Sequence, residues 1–242
     1  MDASYYLAPH VHLCVAGTQV VFLDLERDGY YAVSQGHPAG RWVKGWPQPP
    51  SAATSPTDEN DRSAGSESGL LAKMKSQGML VTDPALGKEA TPLITNEPRT
   101  ALVEHDLNVR PHAKSGQLGR MIGAYLTARW MLKHRPIKDV VGSIARLRAK
   151  RRTAPSGCDI TRLCSLVTVF SYLRPLLYTA HDACLLDSLT LLHFMAGYGL
   201  YPRWIFAVRT NPFLAHCWVQ QDDLVFNDQL DYIRRFSPIL VV

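Results

Sequence analysis

The sequence predicts an α+β protein in two parts: a small unit of antiparallel strands with one helix, then a larger unit in which helices precede an antiparallel sheet. Short β-rich runs between Val11 and Val33 predict the first part. A polar, proline-containing stretch from Thr82 to Arg99 divides the chain. Beyond it, apolar residues recur at helical spacing before three strand-like runs. With 242 residues, 46% of them apolar, the chain can bury a proper core.

In the small unit, VHLCV, TQVVFLDL and GYYAV are broken at Ala16-Gly17 and Arg27-Asp28-Gly29, the pattern of a three-stranded meander. Pro47 to Gly69 is rich in Pro, Ser, Thr and acid and lacks the apolar surface to order itself, so it reads as a mobile insert. Leu70, Leu71 and Met74 follow helical spacing up to a stop at Gly78, with Met79 beyond, and predict a helix lying on the meander. These limits give a first domain over residues 1–83, a linker over 84–99 and a second domain over 100–242. A three-stranded meander exposes an edge to which an extended peptide can add as a further strand. The run Tyr30, Tyr31, Ala32, Val33 is the expected edge, with Leu71 and Met74 forming an apolar pocket beside it. The competing reading makes Tyr30, Leu71 and Met74 the core of this small domain.

In the larger unit, Ser115 to Lys133 and Asp159 to Tyr178 predict core helices. The first presents Met121, Ile122, Tyr125, Leu126 and Trp130 and is ended by Pro136; the second is kinked near Pro175. The longest apolar run, LVTVFSYLRPLL, is far shorter than the roughly 20 residues a membrane span needs. A net charge of +5 is concentrated at Arg146 to Arg152, either a solvated helix end and linker or a docking patch for an acidic partner.

The segment HDACLLDSLTLLHFMAGYGLYP begins with a candidate cap, Asp182, and continues at helical spacing until Gly197 and Gly199. Cys184 therefore falls in the first turn, where unpaired amides and the helix dipole favour a thiolate. Strand-like runs WIFAVRT, AHCWVQ and LVFND follow, placing His216 near the start of the second strand and Asp228 at the end of the third. An antiparallel pair brings His216 and Asp228 together over the helix start, the arrangement of a Cys-His-Asp triad. Because faces alternate along a strand, a two-residue turn at Asp222-Asp223 would put Cys217, not His216, opposite Asp228. A three-residue connection, Gln221 to Asp223, is therefore expected.

The remaining cysteines, Cys14, Cys158, Cys164 and Cys217, read as structural, as do His181 and His193. His105, His112 and His134 lack metal-ligand spacing, so neither metal nor cofactor is expected. Five cysteines is an odd number, and no basic segment followed by an apolar signal core opens the chain, which together suggest a cytoplasmic protein with free thiols.

The ordered string VRT, one residue, PF, two residues, H, one residue, WV, followed by ND, resembles the lasso-peptide leader peptidases, over roughly Arg99 to Val242. These microcin-processing cysteine peptidases have a papain-related, transglutaminase-like fold. The small unit, with YYLAPHVHLCV, VVFLDLERDGYYAV and QGMLV, is similar to the winged-helix-like peptide-recognition element of such pathways, itself similar to a quinone-cofactor chaperone. The resemblance implies a nucleophile, base and orienting acid at Cys184, His216 and Asp228. It also implies a precursor peptide held by its leader and a partner cyclase, asparagine-synthetase-like and ATP-using. No phosphate-binding loop is present in this chain, so ATP would be the partner's. The Cys184 backbone amide is a plausible oxyanion donor.

Two other functions compete. An acyl transferase would pass the same Cys184 thioester to an amine. A non-enzymatic adaptor would bind nucleic acid through the small unit, but Asp24, Glu26 and Asp28 on the meander would repel phosphate.

Overall fold

The computed structural model describes residues 4–49, 69–93, 95–102, 114–149, 160–178 and 183–242. They form two compact units, Met1–Leu93 and Ile94–Val242.

The first unit contains β1 (Tyr6–Leu7), β2 (Val11–Ala16), β3 (Gln19–Asp24), β4 (Gly29–Ser34), α1 (Gly69–Ser76) and β5 (Leu80–Val81). The β2-β3-β4 meander has Val20 opposite Val33 and Phe22 opposite Tyr31, so one face carries Leu13, Val20 and Phe22 into a core shared with Leu71, Met74 and Trp46. Asp28 turns the chain between β3 and β4 with φ of 50°, a conformation that short polar side chains tolerate. Asp24 is buried, contrary to the acidic-surface expectation. Its carboxylate accepts from the Glu26 and Arg27 amides at 2.9 and 3.2 Å and so caps that turn. The Gly78 stop is realised: Gly78 has φ of 68°, and Met79 N donates to Met74 O at 2.9 Å.

The expected boundaries shift. Residues 84–93 belong to the first unit because Leu7 and Lys88 exchange backbone hydrogen bonds and Ala90 N donates to Lys44 O. Arg99 N and Thr100 N both donate to Asp223 O, so the rest of the expected linker is part of the second unit. Of the expected insert, residues 50–68 lie outside the described residues, and Gly69 already opens α1.

The second unit contains β6 (Thr100–Ala101), α2 (Ser115–His134), α3 (Ile137–Ala149), α4 (Ile160–Leu173), α5 (Cys184–Ala196), β7 (Arg203–Thr210), β8 (Phe213–Gln221), β9 (Leu224–Val225), α6 (Leu230–Ile233) and β10 (Ser237–Val241). Its sheet runs β10-β7-β8-β9-β6, antiparallel except for the β6–β9 pair. Pro238 is tolerated because β10 is an edge strand. α5 packs against β8 and α2 and is buried from Asp187 to Met195 apart from His193, with its opening turn half-exposed.

α2 buries a different face from the one expected: Met121, Ala124, Ala128 and Met131 are inside, while Ile122, Leu126 and Trp130 are exposed. Two of the four buried residues are alanines, and α2 packs mainly on α5. The chain resumes after Pro136 as α3, whose Val140, Val141 and Ile144 are buried and whose last turn carries Arg146 and Arg148. The rest of the basic block, from Lys150, lies outside the described residues. α4 passes at Arg174–Leu176 into a turn of 3-10 helix around Pro175. Among the described residues, no helix is long and apolar enough to cross a membrane.

Candidate active site

Cys184 is the first residue of α5, with Ala183 in the cap position. Ala183 has no polar side chain to cap the helix, so the first-turn amides remain available at the sulfur's end. Asp182, the expected cap, lies outside the described residues.

His216 comes from β8, opposite Ala207 of β7. Its ring is caged by Tyr232 edge-on at 5.2 Å, Phe236 at 5.3 Å and Trp218 at 6.3 Å. Nε2 is hydrogen-bonded to the Asp228 carboxylate, which leaves Nδ1 for the Cys184 sulfur, with which the imidazole also makes a hydrogen bond. Asp228 is held in turn by Gln229 N, which donates to its Oδ1 at 2.7 Å. The structure therefore brings Cys184, His216 and Asp228 together.

The route to this meeting differs from the expected one. Gln221 pairs with Leu224 and Gln220 with Val225, so the β8–β9 turn has two residues, Asp222 and Asp223, not three. Asp222 takes φ of 53° to make it. Strand parity alone would then leave Asp228 opposite Cys217. It fails to apply because β9 ends at Val225: Phe226 makes one more ladder bond to Val219 O, and the chain then bends through Asn227 and Asp228. The Asp228 side chain swings to the His216 face through this bend.

Asn227 makes the bend stable. Its Oδ1 accepts from Val219 N at 2.8 Å, replacing a strand partner, and its Nδ2 donates to Asp187 Oδ2 at 2.8 Å and Ser188 Oγ at 3.1 Å. Asp187 and Ser188 lie on α5 within about one turn of Cys184. The strand bearing His216, the bend bearing Asp228 and the helix bearing Cys184 are thus bolted together through one amide. Tyr178 Oη donates to Asp187 Oδ1 at 2.9 Å, with the Arg174 guanidinium 3.4 Å away. Burial pushes the Asp187 carboxyl upward, against the pull of Arg174, Asn227 and Tyr178. Burial and the neighbouring Asp187 push the Tyr178 phenol upward. Sequence reasoning missed this cluster, although an acid inside the apolar run CLLDSLTLL was its signal.

The electrostatics favour an ion pair. A hydrogen bond from Cys217, then the hydrogen bond and charge of His216, pull the Cys184 thiol down to about 4 against burial. Burial works against the imidazolium, but the bonds to Asp228 and Cys184 outweigh it and raise His216 to about 9. Between these values the resting pair is thiolate and imidazolium. Alkylation of Cys184 by iodoacetamide should therefore stay fast well below the ordinary thiol range, with its inflection near pH 4. Cys14, pushed up to about 12 by burial, should stay inert until the protein unfolds. Peptide mass mapping across a pH series checks both. An inflection for Cys184 in the ordinary thiol range near about 8.5 would remove the ion pair.

Trp218 and Phe236 also help to line a cavity of about 660 Å³, together with Ile233, Pro98, Pro238, Glu97, Arg99 and Arg234. His193 is half-buried in α5, and its Nε2 is buried with no hydrogen-bond partner, so it is a packed ring rather than a satisfied one.

In the first unit, a cavity of about 330 Å³ runs along β4, lined by Tyr30, Tyr31, Ala32 and Val33, by Leu70, Lys73 and Met74 of α1, and by Phe22, Gln77 and Met79. β4 pairs with β3 alone among the described strands and is an edge. One expected pocket residue is displaced: Leu71 is 1% exposed and belongs to the core, and Leu70 takes its place on the cavity wall. Met74 serves both.

Residues 123–241 match the family model described as Transglutaminase-like superfamily. No curated protein matches the chain. No solved structure matches it either.

Proposed function

With residues 123–241 as a transglutaminase-like domain, a class typically built on a cysteine nucleophile, we propose that this protein is a cysteine peptidase that removes the leader from a ribosomally made lasso-peptide precursor. The observation that carries the peptidase chemistry is the Cys184–His216–Asp228 chain of hydrogen bonds at the start of α5. The Cys184 thiolate attacks the scissile carbonyl, and the α5 first-turn amides face the oxyanion that develops. The His216 imidazolium gives its proton to the leaving amine, and water then resolves the thioester with His216 as base. The released amine is the group that an asparagine-synthetase-like cyclase would join to an acidic side chain; no cofactor is needed for the cleavage itself. The lasso assignment rests on the motif from Val208 to Asp228, which resembles that peptidase family.

The leader is assigned to the first unit, as a strand added along Tyr31 to Val33 with side chains in the cavity between β4 and α1. A winged-helix-like recognition role for this unit rests on its meander, its helix and that cavity. Leu70→Ala should weaken leader binding by about 1 to 3 kcal/mol, the range of a lost apolar anchor. KM should rise while kcat holds, because the lost contact is uniform binding. A fluorescence titration of labelled leader, paired with steady-state cleavage, reads both. A fall in kcat with unchanged affinity would move the leader elsewhere.

The transglutaminase-like match favours a second reading, transfer of the Cys184 acyl group to an amine. Product masses with and without an added primary amine separate the two. A dominant amide product makes the enzyme a transferase.

A further inference from the structure

Cys217 is a thiol beside the nucleophile that hydrolysis does not use. It follows His216 on β8 and takes the opposite face, against α5. It is 2% exposed, and its Sγ lies 3.8 Å from the Oγ of Ser188, one turn beyond Cys184 on α5. The two sulfurs are within hydrogen-bond reach of each other. Cys184 is only partly buried, so a small solute reaches one member of the pair and not the other.

We propose that Cys184 and Cys217 are a redox modification site, closing to a reversible disulfide when hydrogen peroxide oxidises Cys184. The Cys184 thiolate attacks one peroxide oxygen: the S–O bond forms, the O–O bond breaks, and hydroxide leaves as water with the proton held on His216. The Cys217 sulfur then attacks the sulfenic sulfur. The S–S bond forms, the S–O bond breaks, and the second hydroxide leaves as water with the Cys217 proton. Two thiols lose two electrons in all, and one peroxide becomes two waters.

The environments suit these unequal roles. Burial holds Cys217 as a neutral thiol, which does not compete for the oxidant. Cys184 sits at the first helical position, with no preceding turn to restrict its χ1, so its sulfur can swing the short way to close the bond. The bond consumes the nucleophile, so it turns the site off and shields the sulfur from irreversible oxidation. The loss of cleavage rests on the peptidase reading, but the bond itself does not.

The test treats the full chain with hydrogen peroxide, alkylates the remaining thiols and maps peptides without reduction. The expected result is a Cys184–Cys217 linked pair, a loss of about two mass units, and recovery of both thiols with dithiothreitol. In Cys217→Ser, dimedone should trap Cys184 sulfenic acid several-fold more than in the wild type, and further peroxide should carry it to the sulfinic acid. Wild-type Cys184 reaching the sulfinic acid while Cys217 stays alkylatable after unfolding overturns the proposal. The wild-type map needs no variant, so poor folding of Cys217→Ser leaves the test intact. A linked pair in a protein that cleaves no precursor sinks the peptidase reading alone. Cleavage without any linked pair sinks this one alone.

Discussion

Replacing Cys184 with alanine should abolish precursor cleavage, a fall in kcat of about 10⁶-fold, the size seen when a triad nucleophile is removed. Leader binding should be unchanged, since the cavity proposed for the leader lies in the first unit and Cys184 in the second. Stability should barely move, because the sulfur sits partly exposed at a helix start and its loss opens no core cavity. The measurement is single-turnover cleavage of a synthetic precursor beside a binding titration and a thermal melt. Cleavage that survives in Cys184→Ala but vanishes in Cys217→Ala would give the chemistry to the other sulfur.

Asp228→Asn should cost about 10² to 10⁴-fold in kcat/KM with the fold intact, because an amide cannot stabilise the imidazolium as a carboxylate does. The pH profile separates this from a general injury. His216 is raised to about 9 only because its hydrogen bonds outweigh burial. Without the Asp228 carboxylate, burial gains, the imidazolium loses its proton at lower pH, and the alkaline limb of kcat/KM should move down. Asn227→Ala should behave differently. It removes one donor each from buried Asp187 and Ser188 and the acceptor of Val219 N, so it should lower the melting temperature, at a cost of about 1 to 3 kcal/mol. A normal alkaline limb in Asp228→Asn, with a shifted one in Asn227→Ala, would exchange the two roles.

Much of this site was legible before any coordinates. The glycines after an apolar run located α5, and the run's start located Cys184; the turns at Thr210 to Phe213 and Asp222-Asp223 separated three strands that exist, although the third, read as LVFND, keeps only Leu224–Val225. The connection length was misjudged because strand parity was carried past the point where the strand ends. A short ladder followed by an asparagine that bonds like backbone is invisible to a rule about alternation. α3 was missed because Gly142 and three basic residues dilute its apolar face, and β10 because SPILV is brief and contains a proline. The buried face of α2 was misread because it was sought among the large apolar residues, whereas half of it is alanine. Leu70 and Leu71 are adjacent on α1, and spacing cannot say which of two neighbours faces the core.

β10 gives the site a timetable. Trp204 and Val242 exchange both backbone hydrogen bonds, and Ser237–Val241 pairs with β7, the neighbour of the strand that carries His216. Tyr232 and Phe236, which cage the imidazole, come just before that strand. During synthesis α5 emerges well ahead of these partners, whose contacts with it are distant in sequence. Cys184 is then an ordinary thiol on a helix, without the imidazole whose hydrogen bond and charge help to pull its pKa down. A chain halted before β10 therefore lacks the thiolate–imidazolium pair that the folded second unit holds.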